Sequence, residues 1–155
     1  MEISPLHDKA AARLPSGQCY AGELTSKEAW QFLESDEKSV LVDVRCDAEW
    51  AFVGLPDISS LGKTVIRVSW QLFPKMNIDS SFLEQISASG CHSSYITMFI
   101  CRSGARSREA ANASAISGFS HAYNVFDGFE GPHDELGHRG QESGWKAAGL
   151  PWVQS

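Results

Sequence analysis

Two periodicities of apolar and polar positions divide this chain, one suited to helices and one to buried strands. Thr25-Ser26-Lys27-Glu28 has the Thr-x-x-Glu spacing of a capping box, and Ala29, Trp30 and Leu33 supply the apolar face of a short helix behind it. Ser39-Val40-Leu41-Val42-Asp43-Val44 is a nearly unbroken apolar run rich in β-branched residues, the pattern of a strand covered on both faces, with Asp43 and Arg45 at its far end. Asp47 to Trp50 reads as one helical turn and Thr64 to Val68 as a brief strand. Asp79 or Ser81 can cap a helix carrying Phe82, Leu83 and Ile86 that Ser89-Gly90 ends. Tyr95 to Ile100 is a second buried strand, Arg106 to Ser117 an Ala-rich helix stopped by Gly118, and Ala122 to Val125 a last short strand. Strands alternating with helices predict an α/β three-layer sandwich with a mainly parallel central sheet of about five strands, whose ligand sites lie beyond the carboxyl ends of the strands. Residues 1–20 lack sustained periodicity and contain Pro5, Pro15 and Gly17, so they are expected to form a lead segment that packs late or frays, ahead of a domain over 21–155.

Composition narrows the function classes. With 155 residues, 43% hydrophobic and 21% charged, the chain is one ordinary globular domain, long enough to be stable without disulfides or a structural metal. A net charge of −6 argues against general nucleic-acid binding, so any anion site must be local. No apolar window is long enough to span a membrane, and the first twenty residues do not read as a secretory signal. Cys19, Cys46, Cys91 and Cys101 are scattered and form no C-x-x-C pair. The reading is a reducing, cytoplasmic protein without a structural zinc site.

The most informative segment is Phe99-Ile100-Cys101-Arg102-Ser103-Gly104-Ala105-Arg106-Ser107-Arg108. Cys101 ends an apolar strand, Gly104 permits a tight loop, and a helix follows at once. Unpaired amides of the loop and first helical turn would face the sulfur, and together with the arginines they place positive potential beside an ionised thiol. The same donors would hold an anionic substrate. The bland alternative, a small apolar filler at a strand end, leaves the clustered arginines without a reason, because cations at a helix start oppose its dipole unless an anion sits there.

Cys101-Arg102-Ser103-Gly104-Ala105-Arg106-Ser107 resembles the active-site loop of the single-domain rhodaneses, the thiosulfate sulfurtransferases, of bacterial type. Leu41-Val42-Asp43-Val44-Arg45 with Glu49-Trp50 is similar to the early Asp-Val-Arg segment of that family. Val125 to Gly131, His138-Arg139-Gly140 and Gly144-Trp145-Lys146 to Trp152 fit its later part. The segment Phe52-Val53-Gly54-Leu55-Pro56-Asp57 departs from the Gly-His-Ile-Pro-Gly-Ala type found in many members, and no contact is carried over from it.

The resemblance implies a Cys101 nucleophile that takes the outer sulfur of thiosulfate or another sulfane donor and passes it, through a cysteine persulfide, to cyanide or a thiol. Arg102, Ser103, Gly104, Ala105, Arg106 and Ser107 would cradle that sulfur. Arg102 and Arg106 would attract the donor, with Arg106 alternatively turned inward to brace the loop. No cofactor or metal is required. The expected partner is a small anionic donor, or a protein persulfide or thiol acceptor. Related phosphatases, by the same resemblance, use a loop one residue longer, Cys-x5-Arg, whereas Cys101 to Arg106 is Cys-x4-Arg, so sulfur transfer ranks above phosphate hydrolysis. A binding or regulatory module that keeps the fold without useful turnover is the alternative.

Asp43 and Arg45 are read either as residues that orient the loop, by hydrogen bonds or a salt bridge with Glu49, or as a structural ion pair that only fixes the turn. Cys46 is either incidental or close enough to Cys101 for redox chemistry. Cys91-His92 reads as a solvated turn. His133 and His138, with Asp134, lack a third metal ligand at a recognised spacing and read as an extended loop, which the resemblance to the rhodaneses implies lies near the active-site mouth.

Overall fold

The computed structural model describes residues 4–72, 77–131, 136 and 143–154. In chain order the elements are α1 (Ser4–Ala12), β1 (Gly22–Leu24), α2 (Ser26–Ser35), β2 (Ser39–Asp43), α3 (Asp47–Phe52), β3 (Leu55–Pro56), a 3-10 turn at Ser59–Leu61, β4 (Ile66–Arg67) and β5 (Gln71–Leu72). They continue with β6 (Asn77–Ile78), α4 (Phe82–Ala88), β7 (Ile96–Ile100), α5 (Ala105–Ile116), β8 (Ala122–Val125) and β9 (Trp152–Val153). A five-stranded sheet runs β1-β8-β7-β2-β4 with every pair parallel, so all five carboxyl ends open on one edge. Two short antiparallel ribbons, β3 with β9 and β5 with β6, lie outside it.

The period-2 rule for strands decides the layering. Along β7, Ile96, Met98 and Ile100 join a core with Ala10, Ala29, Phe32 and Leu33 from α1 and α2. Phe99 and then Cys101 face the opposite core, with Phe82, Ile86, Ala110 and Ala111 from α4 and α5. In β2, Leu41 serves the first core and Val42 the second, as does Val44 just beyond it. These two apolar faces require helices on both sides, which is the predicted three-layer α/β sandwich. In the register of β2 and β7, Asp43 pairs with Ile100, and the Val44 amide donates to the Ile100 carbonyl at 3.0 Å. Arg45 and Cys46 therefore follow their strand at the same edge as Cys101.

Most elements fall where the pattern placed them. The capping box forms as read: Thr25 Oγ1 accepts from the Glu28 amide at 3.2 Å and Glu28 Oε1 accepts from the Thr25 amide at 2.9 Å. At α4 the N-cap position is Ser81, without a side-chain cap, while Asp79 Oδ1 accepts from the Ser81 amide at 2.9 Å. The lead segment differs from expectation, because Ser4–Ala12 is a helix with Ala10 fully buried. Pro5 is compatible with it, since the first helical turn needs no amide donor there. Gly22 lets this helix approach the edge strand: a Cβ there would stand 2.5 Å from the Ala10 carbonyl carbon. Arg13, just after α1, closes two bonds on Glu28, at 2.5 and 3.1 Å, tying the segment to the cap of α2. Among the described residues no helix is long and apolar enough to cross a membrane.

Candidate active site

Cys101 follows β7 directly, and the chain turns through Arg102, Ser103 and Gly104 into α5. Gly104 is the N-cap of α5, with φ of 105°, a region that side chains with a Cβ rarely enter. A Cβ at Gly104 would also collide with the Phe126 carbonyl oxygen, and one at Gly128 with the Arg102 carbonyl. The 126–131 turn is thus pressed against the cysteine loop. It takes up the outward carbonyls: the Phe129 amide donates to Cys101 O at 2.8 Å, and the Glu130 and Gly131 amides each donate to Arg102 O at 3.0 Å. With its carbonyls engaged outside, the loop turns amides inward.

Three donors reach the sulfur. The Gly104 amide lies 3.1 Å from Cys101 Sγ, the Ser107 amide 3.4 Å and the Ser107 hydroxyl 3.2 Å. The expected cradle over Arg102 to Ser107 is therefore narrower: among the described residues, Arg102, Ser103, Ala105 and Arg106 direct no donor at Sγ. Each of the three is complementary to a negative sulfur, either the thiolate or the terminal atom of a persulfide. Cys101 itself is 1% exposed. A reactant must therefore displace covering atoms to touch it.

Behind Ser107 runs a buried polar chain that the sequence reading did not single out. Asn124 Nδ2 donates to Glu23 Oε2 at 3.0 Å and to the Gly104 carbonyl at 3.2 Å, which leaves Asn124 Oδ1 to accept from the Ser107 hydroxyl at 2.5 Å. Tyr20 donates its hydroxyl to the other Glu23 oxygen, and Arg108 Nε lies 3.4 Å from that oxygen. Burial, with the neighbouring Glu23 carboxylate, pushes the Tyr20 phenol up and keeps it a donor. The Ser107 hydroxyl has a single proton for two acceptors. It therefore donates to Asn124 Oδ1 or to Cys101 Sγ, one at a time.

The three loop arginines separate. Arg106 is turned inward onto Glu49, with bonds of 2.6 and 2.9 Å. Burial pushes the Glu49 carboxyl up, but the Arg106 hydrogen bonds and charge, with lesser help from Cys46, outweigh it and bring it down to about 2. Arg108 faces Glu23. Arg102 is exposed and, among the described residues, has no carboxylate partner. Beside the loop lies a cavity of about 460 Å³ bordered by Cys46, Glu49, Val53, Arg102 and Arg106.

Of the arrangements the sequence left open for Asp43 and Arg45, the salt bridge with Glu49 does not form, since Glu49 pairs with Arg106. Arg45 instead closes on Asp43, Nε to Oδ1 at 2.9 Å and NH2 to Oδ2 at 2.6 Å, both side chains fully buried, and NH2 also donates to the Gly54 carbonyl at 2.7 Å. Its guanidinium sits 4.4 Å from the centre of the Phe129 ring. Since the Phe129 amide holds Cys101 O, this ion pair supports the turn that presses on the loop. Cys46 is the N-cap residue of α3, with its thiol 3.3 Å from Glu49 Oε1. Cys91 is buried rather than solvated, its Sγ 3.4 Å from Thr97 Oγ1, and burial pushes its thiol up. His133, Asp134, His138, Arg139 and Gly140 lie outside the described residues, among which no group of side chains is arranged to hold a metal ion.

A family model described as the STR4 middle domain matches residues 21–155. The chain belongs to the STR4 middle-domain family. It is 39% identical over 129 residues to a Rickettsia conorii protein described as uncharacterized, spanning 83% of this chain and 94% of that one. The crystal structure of Rv0390 from M. tuberculosis, 46% identical, superposes with a TM-score of 0.79 over 88% of this chain and 99% of that one. Rhodanese-like domain-containing protein 4 of the Arabidopsis thaliana chloroplast is 29% identical over 134 residues, which are 86% of this chain and 26% of the relative. The solution structure of a polysulfide-sulfur transferase homodimer from Wolinella succinogenes shares the fold, with a TM-score of 0.60 at 20% identity over 99% of this chain and 87% of that one. This member of the STR4 middle-domain family thus has a rhodanese-like fold, with its cysteine loop at the carboxyl edge of the parallel sheet.

Proposed function

We propose that this protein is a sulfurtransferase that carries a sulfane sulfur on Cys101, taken from thiosulfate or a persulfide and delivered to a thiophilic acceptor such as cyanide or a thiol. The observation that carries this reading is the convergence of the Gly104 amide, the Ser107 amide and the Ser107 hydroxyl on one cysteine sulfur at a strand-to-helix turn. The Cys101 thiolate attacks the outer sulfur of the donor, and sulfite or a thiolate leaves with the electron pair of the broken sulfur–sulfur bond. The persulfide is then opened by the acceptor, so one hard transfer becomes two easier ones. Donors fixed in place before reaction stabilise charge on the transferred sulfur without reorganisation. The short Cys-x4-Arg loop favours a single sulfur atom over a phosphoryl group. Four free thiols suit a reducing cytoplasm.

The test is to incubate the pure protein with thiosulfate or a small organic persulfide and weigh it intact. A gain of one sulfur atom that Cys101→Ser abolishes is expected. No gain from either donor, or a gain that survives Cys101→Ser, overturns the reading.

A second reading, a rhodanese-like binding or regulatory module, is favoured by the 1% exposure of Cys101 and by the pairing of Arg106 and Arg108 with carboxylates. A steady-state thiocyanate assay separates the two, because a module forms no product from cyanide.

A further inference from the structure

We infer that Glu23, a buried carboxylate on the edge strand β1, is a positioning residue for sulfur transfer: through Asn124 it keeps the Ser107 hydroxyl free to leave the Cys101 sulfur when that sulfur gives up its charge. The inference rests on the sulfur-transfer reading and adds a residue outside the cysteine loop that governs it. In the register of the sheet, Glu23 pairs with Asn124, Asn124 with Phe99, Phe99 with Val42 and Val42 with Ile66, so the five side chains form one row on one face. Phe99, Val42 and Ile66 supply apolar core there, whereas Glu23 and Asn124 are polar and only 3% and 0% exposed. An apolar pair would pack the row without the cost of desolvating a charge, so the fold alone does not call for these two residues.

Both Glu23 oxygens are taken by donors: Oε1 by the Tyr20 hydroxyl, with Arg108 Nε 3.4 Å away, and Oε2 by Asn124 Nδ2 at 3.0 Å. The other Asn124 amide hydrogen goes to the Gly104 carbonyl at 3.2 Å. A carboxylate and a carbonyl have no hydrogen to give, so the amide is held one way round, with its oxygen on Ser107 at 2.5 Å. Oδ1 and Sγ then compete for the single Ser107 hydroxyl hydrogen. When Cys101 is a thiolate, the hydroxyl donates to Sγ. When Sγ is bonded to a second sulfur and neutral, the hydroxyl turns to Oδ1, and no buried donor is left unpaired. A reversed amide would instead donate to Ser107 Oγ and leave the hydroxyl aimed at Sγ in both states.

In discharge by cyanide, the carbon atom bonds to the outer sulfur as the sulfur–sulfur bond breaks. The electron pair of that bond passes to Sγ, thiocyanate leaves, and the hydroxyl moves from Oδ1 to Sγ. Loading moves the hydroxyl the other way. No external oxidant or reductant enters either step.

The test follows both steps in single turnovers by intact mass. Loading uses the persulfide of 2-mercaptoethanol at about pH 9.5, above the ordinary thiol range, and discharge uses cyanide on the loaded protein. In Glu23→Gln the new side-chain oxygen stays on the Tyr20 and Arg108 donors, which turns its amide toward Asn124 and reverses the Asn124 amide at the expense of the Gly104 bond. A buried hydroxyl left unpaired in the loaded state corresponds to about tenfold, so loading should become about threefold slower and discharge about threefold faster. Asn124→Leu, which removes the acceptor without making room for water, should give the same opposed changes and supplies the answer if Glu23→Gln does not fold. In a Ser107→Ala background the ratio of the two rates should move by less than about twofold, the part left to the Glu23 charge acting through space. General damage to the fold slows both steps and does not produce opposed changes. Rates that change together, rates that do not change, or opposed changes that persist without Ser107 would overturn the inference while leaving sulfur transfer intact. A native protein that gains no sulfur from the persulfide would instead overturn the functional reading beneath it.

Discussion

Replacing Glu49 by Gln probes the brace on the cysteine loop through its dependence on pH. In the folded chain the Glu49 carboxyl lies at about 2 against an ordinary 4.5, burial opposing ionisation and the Arg106 bonds more than restoring it. At about 1.4 kcal/mol for each tenfold change in proton affinity, that drop corresponds to about 3 kcal/mol. Solvent reaches both partners, whose side chains are 15% and 17% exposed, and lowers the expectation to about 2 kcal/mol. The sign follows from linkage: a carboxyl whose folded value is depressed stabilises the fold fully above its unfolded value and loses that contribution as pH falls toward the folded one. Urea unfolding of the native protein and Glu49→Gln, followed by tryptophan fluorescence, should therefore differ by about 2 kcal/mol near pH 7. The gap should shrink to about half that near pH 3. Comparing the two proteins cancels every other carboxylate. A gap that stays constant or grows on acidification would refute the claim that the ionised Glu49–Arg106 pair braces the loop.

Two further outcomes test the surroundings of the sulfur. Asn124→Ala removes the group that links Ser107 to Glu23, and should cost about 2 kcal/mol in urea unfolding, because Glu23 Oε2 and the Gly104 carbonyl lose the Asn124 donor. It should also lower the rate of Cys101 sulfuration at saturating donor more than it raises the donor concentration needed, because Ser107 loses its fixed position. Asp43→Asn leaves the fully buried Arg45 without its countercharge and should destabilise the fold by about 3 kcal/mol in the same unfolding assay. A loss below about 1 kcal/mol would show that the pair is dispensable.

The sequence by itself determined the layers and the place of the site. Continuous apolar runs at 39–44 and 95–100 can be buried only as strands covered on both faces. The capping box at Thr25 and the glycines at 104 and 118 fix where helices begin and end, because their physics is local. Cys101 was legible for the same reason: a cysteine between an apolar strand and a glycine turn must meet the amides that open the next helix.

Only the tertiary structure decided which charges remain free there. The clustered arginines looked alike in sequence, yet Arg106 meets a carboxylate from α3 and Arg108 one from β1, partners 57 positions away in the first case. The chain from Ser107 through Asn124 to Glu23 joins residues 101 positions apart, brought together because β1 and β8 are adjacent. Helix α1 escaped notice because its weak amphipathic pattern gives no signal until Gly22 lets it dock. Periodicity and capping act over a few residues and can be read along the chain, whereas ion pairing and burial depend on which distant segments the sheet order sets side by side.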